Sequence, residues 1–407
     1  MNKRPKILVV GSLMMNHGIE TSVIPEEGQT VMGEDIQKSP GGKGANQAVQ
    51  MARLGADVTL IGKIGRDQDG KELIKVCKEA GVHTEQILYD DTLPTGSSIV
   101  LLEKIPGRKV KKRSIIVPGA CMAITVDEIC YLEDEIEKYD LVVLQNAVPM
   151  EVNEEVARYA YEHQVDVVLN PTPVKKLSKE FMQHITYLIV NEQAAKSMTG
   201  VKIHSDWKRD WTRFNLDEAR VASAVIRGRG VPTVLVTLGE KGVIMNTPER
   251  FYYKKAVEDV ELIDPRAAGD AFIGAFCTRI CTDDSVGKVL SIANYTAALS
   301  IATPGAIESL PTSKKVREYM EQKRDAIKMH LFFVARTIYV PGNYSWLIAP
   351  AGHPSAQAPH SMHVSASITY CPSPSLIAPA GQVPSQAPQE IQASEITYAI
   401  VISSLYK

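Results

Sequence analysis

Asp264-Pro265-Arg266-Ala267-Ala268-Gly269-Asp270-Ala271-Phe272 and Pro40-Gly41-Gly42-Lys43-Gly44-Ala45-Asn46-Gln47 are two loops of small residues set far apart in the chain, and each runs into an apolar stretch that reads as a helix. In the first, residues with free N–H groups lead to a helix N-terminus that carries one carboxylate, Asp270. That is an anion cradle with a candidate base inside it. In the second, a Lys and an Asn stand among glycines, which lets the backbone approach a small polyhydroxylated ligand closely. Between and around the loops, short β-branched runs alternate with helical patterns. Strands are expected at 6–10, 57–64, 140–144, 166–169, 187–190 and 233–237. Helices are expected at 44–54, 70–80, 150–163, 216–229, 269–282 and 285–302. This rhythm predicts a doubly wound α/β fold, a mostly parallel sheet with helices on both faces.

Three segments depart from it. Residues 14–36 and 97–117 carry extended patterns with no helix between them, and 103–113 within the second is basic, as a solvated hairpin turn is. Residues 201–215 read as a surface insertion. From about 329 the chain turns rich in Pro, Ala and Ser; Leu347-Ile348-Ala349-Pro350-Ala351-Gly352 recurs as Leu376-Ile377-Ala378-Pro379-Ala380-Gly381. Such a composition does not readily bury a core, so 1–328 is expected as the folded domain and 329–407 as a disordered tail.

Composition excludes several classes of partner. Of 407 residues 23% are charged, and the net charge of -2 gives no reason to expect nucleic acid or an anionic membrane. No apolar run is long enough to span a bilayer, and the N-terminus lacks a secretory apolar region. Six irregularly spaced cysteines without a C-x-x-C pair read as reduced thiols of a cytoplasmic protein.

The two loops closely resemble the two signatures of the ribokinase-like (PfkB-type) carbohydrate kinases, the first signature, Gly41–Gln47, its ribokinase branch in particular. The likeness runs from about 6 to about 324 through Gly11-Ser12, Gly62-Lys63-Ile64-Gly65-Arg66-Asp67, Asn170-Pro171-Thr172-Pro173, Thr237-Leu238-Gly239 and Pro304-Gly305-Ala306. The resemblance implies that 14–36 and 97–117 form a small β-sheet lid over a sugar, and that lids pair in a homodimer. It implies ATP-dependent transfer of a phosphoryl group to the O5 hydroxyl of D-ribose, with Mg2+ on the nucleotide. Asp270 would be the base, and the backbone of Ala267, Ala268 and Gly269 the anion hole; a plain helix cap is the alternative for Asp270. Met14, Asn16, Gly42, Lys43 and Asn46 would face the sugar, although Asn46 also suits a helix cap. Asn191, Thr237, Leu238, Gly239, Gly242 and Gly269 would face the nucleotide. Asp264, Arg266, Ser300, Thr303 and Gly305 would offer carbonyls, and Ser309 a hydroxyl, to an activating K+.

Five departures from the family pattern bear on function. Met14 stands where an Asn is usual and Asn16 where an Asp is; Met14 offers no strong hydrogen bond, and it resembles the deoxyribokinase branch in this. Ala147 and Ala194 replace two family glutamates, the second of which organises the Mg2+ shell. Pro265-Arg266 replaces a small polar pair. Three readings stay open: a ribokinase, a kinase of 2-deoxyribose or another sugar, and a degenerate sugar- or nucleotide-binding protein with little turnover.

Overall fold

The computed structural model describes residues 4–103, 105, 111–204 and 214–338. The chain opens with β1 (Lys6–Val10), β2 (Met14–Thr21), β3 (Asp35–Gly41) and α1 (Lys43–Arg53). It continues through β4 (Asp57–Ile61), β5 (Lys63–Gly65), α2 (Gln68–Glu79), β6 (Leu88–Asp90), β7 (Gly96–Glu103) and β8 (Lys111–Val117). Then follow α3 (Leu132–Glu135), β9 (Leu141–Gln145), α4 (Met150–Glu162), β10 (Asp166–Asn170), α5 (Lys179–Gln183), β11 (Tyr187–Asn191) and α6 (Glu192–Thr199). The last elements are α7 (Phe214–Arg227), β12 (Thr233–Thr237), β13 (Val243–Asn246), β14 (Phe251–Lys254), α8 (Ala268–Ile280), α9 (Val286–Ile301) and α10 (Ser313–Ile338).

Eight strands form one sheet in the order β14-β13-β12-β11-β10-β9-β1-β4. From β12 to β4 the pairs are parallel; β13 and β14 add an antiparallel edge. The doubly wound layering is encoded in single strands. Ile7 and Val9 of β1 pack with α1, α2, α8 and α9, whereas Leu8 and Val10 pack on the opposite face with α4, α5, α6 and α7. A strand covered on both sides has to be apolar through its middle, and Ile7–Val10 of β1, Leu141–Leu144 of β9 and Val234–Val236 of β12 are.

The expected strand at 57–64 is broken in two at Gly62. A Cβ there would lie 2.6 Å from the Gly11 carbonyl oxygen and 2.3 Å from a Leu13 methyl, so the chain turns where only glycine fits, and β5 leaves to pair with β6. The segments without helices form a second sheet, order β3-β2-β7-β8. Asp67 anchors it: its carboxylate caps α2 at the Gly70 N–H and also accepts from the Thr95 N–H and hydroxyl just before β7. The chain divides into two units, Met1–Tyr319 and Met320–Lys407. Helix α10 runs through the boundary expected at 328 and ends at Ile338. The repeats beyond it, most of the 201–215 insertion and the centre of the basic 103–113 turn lie outside the described residues.

Candidate active site

Helix α8 starts where the sequence becomes Ala-Gly-Asp. Ala267 is its N-cap and provides no side-chain cap, so the first N–H groups, those of Ala268 and Gly269 among them, have no partner four residues back. Above Gly269 the space is open: a Cβ built there meets nothing within 4 Å. The N–H groups and the helix dipole therefore face a gap that suits an anion.

Asp270 is 3% exposed and is not a cap. Its Oδ2 accepts from Asn46 Nδ2 at 2.8 Å and its Oδ1 from Gln47 Nε2 at 2.9 Å. Lys43 Nζ lies 3.6 Å from Oδ1. Asn46 is not a cap either, since α1 begins at Lys43 behind Gly42, whose φ of 95° only glycine holds without strain. A Cβ at Gly42 would also lie 2.6 Å from the Ser12 carbonyl oxygen, so the turn presses the start of α1 onto the end of β1.

Sequence reasoning gave no role to the support behind these residues. Gln145, the last residue of β9, donates from Nε2 to Gln47 Oε1 at 3.0 Å, and Asn153 of α4 donates to the Gln145 carbonyl at 2.9 Å. The central sheet thus holds Gln47, and Gln47 holds the carboxylate. Gln47 lies inside a motif quoted above, but no local signal pairs it with Gln145, so distant in sequence. Met14 and Asn16 lie on β2, where the ladder sets Met14 opposite Gly41 and Asn16 opposite Ser39. Met14, Cys121 and Ala147 pack into one small apolar cluster. Several buried polar atoms nearby lack partners among the described residues: Ser12 Oγ, Ser39 Oγ, Asn46 Oδ1, Gln145 Oε1 and both amide atoms of Asn146. Burying such atoms unpaired is costly, and a hydroxyl-rich ligand offers bonds to atoms of this kind.

The expected nucleotide residues form a separate group at the same carboxyl edge of the sheet, where open α/β sheets bind ligands. Asn191 and Thr237 are paired ends of β11 and β12. The Asn191 Oδ1 accepts from the Ala194 N–H at 2.8 Å and caps α6. Leu238 is buried, Gly239 has φ 54°, and Gly242 (φ 103°) sits where a Cβ would strike the Lys254 carbonyl oxygen. Of the expected cation residues, Asp264, Arg266 and Gly305 converge. The Ser300 and Ser309 hydroxyls donate to the Ala297 and Ala306 carbonyls, and the Thr303 N–H to the Ser300 carbonyl. Burial pushes the Asp264 carboxyl up, but hydrogen bonds from Arg266 and Gly305 outweigh it and hold the group below the usual carboxylate range.

The model of the pfkB family carbohydrate kinases matches residues 4–313. The chain is 31% identical over 318 residues to a ribokinase of Haemophilus influenzae, covering 78% of this chain and 99% of that one. It is 26% identical over 315 residues to a deoxyribokinase of Salmonella typhimurium, covering 77% and 98%. The structure of Arabidopsis thaliana ribokinase complexed with ribose and ATP superposes with a TM-score of 0.67 at 27% identity, covering 78% of this chain and 99% of that one. The second sheet, the carboxylate at the α8 N-terminus and the match over nearly all of residues 4–313 agree: this chain belongs to the pfkB family of carbohydrate kinases and is a kinase of that family.

Proposed function

We propose that the protein transfers the γ-phosphoryl group of ATP to the O5 hydroxyl of D-ribose, giving D-ribose 5-phosphate and ADP. The observation that carries this reading is the buried Asp270 carboxylate, held by Asn46 and Gln47 at the open N-terminus of α8. Asp270 takes the O5 proton as O5 bonds to the γ-phosphorus and the bond to the β-phosphate oxygen breaks. The N–H groups around Ala267, Ala268 and Gly269 stabilise the charge on the transferred group, where donors fixed in advance act best. Lys43, Asn46, Asn16 and Gly42 hold the sugar; Asn191, Thr237, Leu238, Gly239, Gly242 and Gly269 hold the nucleotide.

Mg2+ would neutralise charge on the phosphates. Among the described residues no group of three His, Cys, Asp or Glu could hold it, and Ala194 adds no carboxylate, so the phosphates of the nucleotide would supply much of its coordination. A homodimer through the second sheet is supported by exposed Ile36 of β3 and Ile115 and Val117 of β8; light scattering on the full chain tests it. No described helix is long and apolar enough to cross a membrane, and the described cysteines are free, which supports a cytoplasmic location.

A second reading, a 2-deoxyribose kinase, is favoured by the cluster of Met14, Cys121 and Ala147. An apolar wall leaves nothing unpaired beside a deoxygenated carbon, whereas a hydroxyl there loses a bond. ADP release with Mg-ATP, ribose and 2-deoxyribose compared side by side decides between them. Higher kcat/KM for ribose establishes the first reading; the reverse order establishes the second. In the second case Met14→Asn is expected to shift the ratio toward ribose by about tenfold or more, since a missing hydrogen bond to a substrate hydroxyl is what discriminates. A folded protein that binds ATP without turnover on either sugar refutes both and leaves a kinase of another sugar or a degenerate binder.

A further inference from the structure

The loop that delivers Asp270 contains a second buried charge pair that the transfer step does not use. Arg266 Nε lies 3.0 and 2.8 Å from the two Asp264 carboxylate oxygens, and Nη2 lies 2.6 Å from Oδ2. Both side chains are 6% exposed. The N–H groups of Arg266 and of Gly305 each add a bond of 3.0 Å to the same carboxylate. One carboxylate therefore ties the segment before α8 to the turn after α9, with the guanidinium as its counter-charge. The third nitrogen, Nη1, is buried without a hydrogen-bond partner among the described residues and lies against β2: a Cβ at Gly18 would come 2.9 Å from it. Arg266 thus fills the space between the anion-hole segment, the turn at Gly305 and the second sheet, and glycine at 18 makes room for it.

The family resemblance places an activating monovalent cation at this segment, among carbonyls of Asp264, Arg266, Ser300, Thr303 and Gly305 and the Ser309 hydroxyl. The residues present do not fit one. The buried carboxylate is already neutralised by a fork of two guanidinium nitrogens, which matches carboxylate geometry better than a spherical ion does. A further cation beside that guanidinium would meet like charge in a poorly screened interior. The Ser309 hydroxyl and the Ser300 carbonyl are also engaged within their own turns, the first donating to the Ala306 carbonyl and the second accepting from the Thr303 N–H.

We propose that the Arg266 guanidinium is a tethered replacement for the monovalent cation, so that phosphoryl transfer by this chain does not depend on K+. Arg266 acts as a positioning residue: it fixes the segment from Asp264 to Gly269, whose N–H groups face the phosphate. The inference rests on the kinase reading above.

The test measures sugar-dependent ADP release and the melting temperature of the full chain across a K+ series, with tetramethylammonium holding ionic strength constant. The wild-type rate is expected to change by less than about twofold and the melting temperature to stay flat, because an ion that does not bind the native state does not shift its stability. Arg266→Thr is expected to lose about tenfold or more in kcat without K+, as an unfixed catalytic segment does, and to regain rate when K+ is added. A purely structural role for Arg266 would give no such cation dependence. Stimulation of the wild type by K+ of about tenfold, or a K+-specific rise in its melting temperature, overturns the proposal. If neither sugar is phosphorylated at any K+ level, the ribose and 2-deoxyribose readings fail, while the melting series still decides whether K+ binds. The wild-type series stands even where Arg266→Thr does not fold.

Discussion

Asp270→Asn lowers kcat by about a hundredfold or more, the usual contribution of a positioned general base. The change is isosteric and removes only the charge and one acceptor. The side chain sits between two amide donors, Asn46 Nδ2 and Gln47 Nε2, so an Asn amide would face one of them donor to donor. Asn46 can relieve this by turning its amide, since its Oδ1 has no other partner. The variant is therefore expected to fold and to bind ATP and sugar with affinities near wild type, so that the loss appears in kcat rather than KM. Retention of most of the wild-type kcat would remove Asp270 from the role of base. Gln47→Leu makes a graded companion. It deletes one bond to Asp270 and leaves Gln145 Nε2 without its acceptor, with Asp270 itself untouched. Its expected cost is about 1–3 kcal/mol of stability, from a buried donor left unpaired, together with a kcat loss smaller than that of Asp270→Asn.

The second large effect is expected at Gly274, one turn below Asp270 on α8. A Cβ at this position would lie 2.6 Å from Gln50 Cβ, 2.7 Å from Gln50 Cγ and 3.2 Å from the Gln47 carbonyl oxygen. Gly274 is thus what lets α8 lie close enough to α1 for Asn46 and Gln47 to reach the carboxylate. Gly274→Val forces the helices apart. Overpacking of this kind costs about 1–3 kcal/mol. The displacement of Asp270 from α1 is expected to cost activity as well, since a shift of about 1 Å at a catalytic group is worth about a hundredfold. Melting temperature and kcat should therefore fall together, while ATP affinity is retained. Gly287→Ala on α9 is the control: nothing lies within 4 Å of a Cβ there, and alanine is the better helix former, so both readings should stay at or slightly above wild type. A Gly274→Val protein with wild-type kcat would mean that the spacing of α1 and α8 does not set the geometry of the site.

Much of this protein was legible in the chain because its determinants are local. Continuous apolar runs such as Lys6–Val10 mark strands covered on both faces, and small residues before Asp270 mark a helix N-terminus facing an anion. Positive-φ glycines fix turns at fixed positions, as Gly42 does before α1. Gly62 was harder, because its effect depends on Gly11 and Leu13, and the strand expected across it is two strands.

Sequence by itself determined the α/β architecture and the two signature loops, since each follows from residue type and period over a short window; that the extended segments join in a second sheet is what the family resemblance implied. Tertiary structure alone decided what those loops hold. The chain from Gln145 through Gln47 to Asp270 joins β9, α1 and α8, and no residue in it signals its partner. The apolar wall of Met14, Cys121 and Ala147 likewise draws on three distant segments. Arg266 shows the division most sharply. Its pairing with Asp264 is two residues long, yet the carboxylate it pairs with is also held by the Gly305 N–H, and its guanidinium fits the space at Gly18; only tertiary packing brings these segments within reach.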